Sequence, residues 1–157
     1  MKKLVVFSVA VCLAFAACMT APAPRTVVNA FPIDQPFDPV WQAVIETFAD
    51  MNLPILNMEK ASGLITTDWI RFPYEGREDG YCDCGGLGAN AEVDRSGRFN
   101  VFVKRSSDSS CDIKINVRFQ RIVKNMLVDD GSRPINECVS TGKLEAEMFG
   151  RISDRLK

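Results

Sequence analysis

Apolar and polar positions alternate most cleanly from Cys111 to Lys124, with Ile113, Ile115, Val117 and Phe119 on one face and Lys114, Asn116, Arg118 and Gln120 on the other. A period of two predicts a strand with one dry face and one wet face. Arg98 to Arg105 repeats the pattern through Phe99, Val101 and Val103, and Ser106 to Ser110 supplies the turn between the two segments. Upstream, Val27 to Ile33 reads as a first strand, its end confined to an edge or a turn by Pro32 and Pro36. Ile55 to Lys60 and Leu64 to Phe72 flank Ala61-Ser62-Gly63, which predicts an antiparallel hairpin.

The period lengthens in two places. Trp41, Val44, Ile45 and Phe48 recur at i, i+3, i+4 and i+7 and predict an amphipathic helix over 39–52. Asp38 serves as its N-cap, Pro39 takes the first helical position, and Pro54 follows the stop. Trp41 reads as a core anchor rather than a ligand platform. Beyond the turn expected at Asp129-Asp130-Gly131, Ser140-Thr141-Gly142 precedes a helix striped by Leu144, Met148, Ile152 and Leu156 and widened by Phe149. The stripe suits the dry sheet face. The expected fold is α+β, an antiparallel sheet of about 4–5 strands packed on a C-terminal helix, in the order β-α-β-β-β-β-α.

Residues 1–17 have a different character. Lys2 and Lys3 precede an apolar run from Leu4 to Phe15, interrupted only by Ser8, too short to span a bilayer and typical of an export signal. It closes in Phe15-Ala16-Ala17-Cys18, which resembles the lipobox of bacterial lipoproteins. The resemblance implies cleavage before Cys18, acylation of Cys18, and attachment to a membrane through that lipid. Methionine at position 19, where aspartate signals inner-membrane retention, implies the outer membrane with the domain facing the periplasm. Residues 18–26, with Pro22 and Pro24, form a semi-extended tether and 27–157 one domain. Cleavage at Ala14-Phe15-Ala16 gives instead a soluble periplasmic or secreted protein.

Composition narrows the function classes. At 157 residues, 46% hydrophobic and 25% charged, the chain suits one globular domain. Removing residues 1–17 takes away Lys2 and Lys3 but no acid, so 19 basic and 20 acidic groups become 17 and 20, a net charge of −3. With no basic run, nucleic acid is not an expected partner. The chain has no histidine, which removes Ser-His and Cys-His catalysis and histidine-ligated zinc.

Phe37-Asp38-Pro39-Val40-Trp41-Gln42-Ala43-Val44, Ala61-Ser62-Gly63-Leu64-Ile65-Thr66-Thr67-Asp68-Trp69 and Cys138-Val139-Ser140-Thr141-Gly142 resemble small bacterial envelope lipoproteins of the BamC (NlpB) type. The resemblance covers residues 37–156 and implies a helix-grip domain, in which an antiparallel sheet curls around a long C-terminal helix. It points to a non-enzymatic binding or assembly module at the outer membrane, with another envelope protein as partner, held at a sheet edge or beside the C-terminal helix. Phe102 and the loop around Tyr74 and Tyr81 are the candidate contact surfaces. A carrier with an apolar pocket between sheet and helix is the second reading, and a thiol–disulfide redox protein the third.

Of the six cysteines, Cys12 lies in the signal segment and Cys18 is the lipidation site, leaving Cys82, Cys84, Cys111 and Cys138. In an exported domain these predict two disulfides. Cys82 and Cys84 point the same way from an extended segment and seek distant partners. The expected pairing is Cys84 with Cys138 and Cys82 with Cys111, the swapped pairing remaining open. Cys-x-Cys with two isolated cysteines fits zinc poorly, and Cys82-Asp83-Cys84 has no basic residue or helix start beside it to activate a thiol. No catalytic, cofactor or metal residue emerges. Gly85-Gly86-Leu87-Gly88 lacks the lysine and hydroxyl of a P-loop, and Asp68, Asp83, Glu92 and Asp94 read as solvated acids. Ser140 and Thr141 read as capping residues with no base in reach.

Overall fold

A computed structural model of the chain describes residues 20–72, 80–128 and 130–157. The expected signal segment with Cys12, the expected lipidation residue Cys18, Met19, Tyr74 and Asp129 lie outside the described residues. The elements in chain order are β1 (Ala30–Ile33), α1 (Phe37–Asp50), β2 (Ile55–Glu59), β3 (Leu64–Thr67), β4 (Ile70–Arg71), β5 (Cys82–Asp83), β6 (Asn90–Arg105), β7 (Cys111–Asn125), β8 (Ile135–Ser140) and α2 (Lys143–Asp154).

The fold is α+β, and its sheet has eight strands where about 4–5 were expected. A central antiparallel hairpin of β6 and β7 runs 16 and 15 residues, and shorter strands pair along both of its sides. On the β6 side, β3 pairs at Asn100–Phe102 and β4 at Ser96–Gly97, with β2 beyond β3 at the edge. On the β7 side, β1 pairs at Cys111–Lys114 and β8 at Phe119–Ile122, with β5 beyond β8. β5 and β8 escaped the periodicity because they are held by backbone pairing rather than by an apolar stripe. Ile135, Asn136 and Glu137 are all exposed. The first half of β6 was hidden because a bulge between Glu92 and Asp94 breaks its alternation.

Helix α1 begins two residues earlier than its sequence signals, with Pro36 in the cap position and Pro39 inside the first turn. Proline is tolerated there because the first N–H groups of a helix have no internal acceptor. Asp38 makes no cap and instead pairs with Lys60 at 2.9 Å, which holds its carboxyl below the ordinary carboxylate range. At the other end Asn52 turns left-handed at φ 52°, and Leu53 N–H donates to Phe48 O at 2.9 Å ahead of Pro54.

Both helices cover one face of the sheet. Val40, Val44 and Phe48 of α1 and Leu144, Met148 and Ile152 of α2 meet Ile65, Phe99, Val101, Val103, Ile113, Ile115 and Phe119. Trp41 is part of this core. Phe48 and Phe99 meet edge-on at 6.3 Å, and Phe31 stacks on Phe149 at 4.4 Å. At the β2–β3 turn, Gly63 has φ +73° and accepts from Val103 N–H at 2.8 Å, and a Cβ there would lie 2.0 Å from Val103 O. Glycine is therefore what lets this turn lie against β6.

One carboxyl is buried within α2. Both oxygens of Glu145 lie in reach of Ser140 Oγ–H, at 2.8 and 2.9 Å, and burial pushes its pKa up despite that bond. Between the unfolded pKa and the raised folded one, the native state binds more protons, so stability falls as pH rises through that window. Glu145→Gln keeps a partner for Ser140 without the charge. Its stability relative to the parent is expected to rise from about pH 5 to about pH 8 in urea unfolding. A parallel response of the two proteins would remove Glu145 as the source.

Candidate functional site

β6 and β7 run past the helices, and the inward phase of the sheet continues there as polar side chains. Arg121 lies two residues beyond Phe119 on the same face and opposite Arg95. Only 5% of Arg121 is exposed, and its guanidinium donates to Gly85 O and Gly86 O, both at 3.1 Å. Arg95 donates through Nε and Nη2 to the two oxygens of buried Glu92, each at 2.9 Å. A segment from Cys82 to Gly86, rather than a helix, forms the lid over this end. The segment nearest the N-terminus is held there too: Thr20 O accepts from Gly86 N–H at 2.9 Å, and Arg25 lies 3.7 Å from Asp83. A Cβ on Gly85, at φ +69°, would meet Thr20 O at 2.2 Å, so the glycine run serves a close chain crossing. Arg95 and Arg121 were legible in principle, since the period-two phase puts Arg121 on the apolar face.

The cysteines divide between the two ends of the sheet. β5 pairs with β8 as Cys82 with Ser140 and Asp83 with Val139, and the next step of that register sets Cys84 opposite Cys138. These two form a disulfide with Cα atoms 4.2 Å apart. Cys82 and Cys111 do not join, contrary to expectation, and both are free thiols. Cys111 starts β7, whereas Cys138 pairs with Phe119 eight residues farther along. At about 3.4 Å per residue that separation is on the order of 27 Å, beyond any disulfide. Cys111 is buried in the core, which pushes its thiol pKa up. Cys82 is half-buried, with its Sγ 3.8 Å from Cys84 Sγ, and the sulfurs of Cys82, Cys84 and Cys138 all lie within 4.8 Å of one another. Arg95 supplies the basic neighbour that the local sequence lacked, its guanidinium charge acting on Cys82. Burial raises the Cys82 thiol pKa against the lowering influence of that guanidinium.

The remaining candidates are placed as follows. Tyr81 is half-buried, its hydroxyl donating to Glu147 Oε2 at 2.7 Å and its ring 5.3 Å from Lys143 Nζ. Phe102 is half-buried and lines a surface groove of about 580 Å³ with Phe37, Asp38 and Lys60. Ser140 holds Glu145, and Thr141 Oγ1–H donates to Gly80 O at 2.6 Å. Neither hydroxyl caps α2, whose cap is Gly142. Asp94 pairs with Arg71 at 2.9 Å, and Asp68 accepts from Trp69 N–H at 2.7 Å.

The opposite edge of the sheet differs in character. β2 is the edge strand, and it exposes Leu56 (68%) and Met58 (49%). Leu56 borders a groove of about 520 Å³ that also takes in Thr66, Arg98, Asn100, Asn116 and Arg118. Arg98 stacks over Trp69 at 5.3 Å and Arg118 pairs with Glu137. The floor is thus amide and guanidinium, with an apolar rim. A second exposed apolar group, Met126, Leu127 and Val128, follows β7. Met126 N–H donates to Ala89 O at 3.0 Å, which ties this group to the residue after the Gly85–Gly88 run.

Among the described residues, no helix is long and apolar enough to cross a membrane. No protein-family model matches the chain, and no curated protein matches it.

Proposed function

We propose that the protein is an envelope lipoprotein, anchored through Cys18 at the outer membrane and facing the periplasm, whose helix-grip-like domain is a non-enzymatic binding module for an extended segment of another envelope protein. The observation that carries this reading is the β2 edge. Natural sheets blunt exposed edges with charge, proline or bulges that turn them away. β2 carries a bulge between Ile55 and Asn57, yet it exposes Met58 and also Leu56, the latter beside a groove floored by amides and guanidiniums. An added strand would bond to the free backbone edge, set an apolar side chain against Leu56, and offer a carboxylate to Arg98.

The other end of the molecule supports the anchor. Thr20, two residues after Cys18, is bonded to Gly86, and Ala89 of the same run is bonded to Met126 of the exposed apolar Met126–Val128 group, a surface suited to acyl chains. β2 lies across the sheet from it. A photo-crosslinking residue at position 56 of the full-length, membrane-located protein is expected to give adducts with an envelope protein. Leu56→Lys is expected to weaken co-purification of that same protein. Equal adducts from a probe at exposed Lys124 would overturn the edge assignment.

A further inference from the structure

We propose that Cys82 is the internal nucleophile of a thiol–disulfide exchange in which its thiolate attacks Cys84 Sγ, displaces Cys138 and unclips β5 from β8. This goes beyond the binding role and rests on separate observations. The Cys82 sulfur lies 3.8 Å from the sulfur it would attack. Cys82 is half-buried rather than sealed in the core, unlike Cys111. Arg95, held by its two bonds to Glu92, sets a guanidinium charge by Cys82 that favours the thiolate against the burial opposing it. Cys82 Sγ also lies within 4.8 Å of Cys138 Sγ, so it sits beside the disulfide it would attack.

The step balances without an outside oxidant or reductant. Cys82 loses its proton to solvent, a Cys82–Cys84 bond forms as the Cys84–Cys138 bond breaks, and Cys138 leaves as a thiolate that takes up a proton. Afterwards β5 is held to β8 by its short backbone pairing, flanked by the bonds from Thr141 to Tyr81 O and Gly80 O. The same three sulfurs could, once reduced, be offered to a soft metal ion. The cationic setting argues against it: the Arg95 charge acts on Cys82, and Arg121 holds the two residues after Cys84. The groups around Cys82 are Arg95 and Glu92 from β6 and Asp83 beside it, with Arg25 paired to Asp83.

The test uses the purified full chain without reductant, drained slowly by dilute N-ethylmaleimide and then mapped by peptide mass spectrometry. Exchange predicts a species with the label on Cys138 and a Cys82–Cys84 bond. It should appear about tenfold faster per unit of pH between about 7 and 8.5, as the thiolate fraction of a raised-pKa thiol grows. Cys82→Ser abolishes that species and Cys111→Ser leaves it unchanged; Cys82→Ala stands in if the serine variant does not fold. Four results would overturn the proposal: Cys82 consumed with Cys138 never labelled, Cys138 labelled equally in Cys82→Ser, Cys84 labelled with a Cys82–Cys138 bond, or stoichiometric Zn²⁺ held by the three reduced cysteines with no exchange.

Discussion

Cys138→Ser is expected to melt on the order of 10–20 °C below the oxidised parent protein, whether or not reductant is added to the variant. The parent should fall to nearly the same temperature once reduced. Cys84 and Cys138 are 54 residues apart, and closing a loop of that length stabilises a domain by about 4 kcal/mol in the chain-entropy account. That is a large share of the roughly 5–15 kcal/mol available to an ordinary domain. It is concentrated where non-covalent pairing is thinnest, since β5 contributes only two paired residues. Thermal unfolding followed by circular dichroism, with and without reductant, reads the effect directly. A Cys138→Ser protein melting within about 2 °C of the oxidised parent would show that β5 is held mainly by other contacts. Cys111→Ser separates the role of bonding from that of having a cysteine, because Cys111 bonds to no other cysteine.

Glu92→Ala is expected to lose about 3 kcal/mol of stability in urea, with an unchanged m-value. The carboxylate is 3% exposed and its arginine partner 18%, so truncation leaves the Arg95 charge in a poorly solvated place without that counter-ion. Replacing both, as Glu92→Leu with Arg95→Met, should recover most of the loss, because apolar pairs of similar volume commonly equal or exceed a buried ion pair. A double variant as unstable as the single one would show that Arg95 matters through Cys82 or the lid rather than through its ion pair. Glu92 also opposes ionisation of Cys82, so Glu92→Ala should alkylate faster at Cys82 than the parent at one pH.

The parts of this fold that were plain in the chain are those in which side-chain burial follows a simple period. Ile113 to Phe119 face the helices as their alternation requires, and Leu144, Met148 and Ile152 form the buried stripe of the last helix. The hidden parts are held by other means. β8 exposes half its residues and is fixed by pairing with β7, and β5 is too short to have a pattern. Pairing Cys82 with Cys111 failed because the entry of a strand was taken as near its exit, whereas β7 is 15 residues long. The cationic surroundings of Cys82 were invisible for a related reason. Arg95 is remote along the chain, and only the fold of β5 over the polar end of β6 and β7 brings it to the thiol.

The brevity of β5 has a further consequence for how the chain reaches its native state. A slip of one residue against β8 would turn Cys84 to the wrong face, but a slip of two would keep the face and set Cys82 opposite Cys138. The newly made chain therefore meets two nearly degenerate alignments, each ready to be made permanent by oxidation. Two paired residues are too few to break the tie. The contacts on hand to break it are Arg121 grasping the carbonyls of Gly85 and Gly86 and Thr20 crossing Gly86, all made in the native alignment. The sulfur bond thus preserves a choice made beforehand by a buried guanidinium, and weakening Arg121 would misdirect oxidation before it weakened the finished domain.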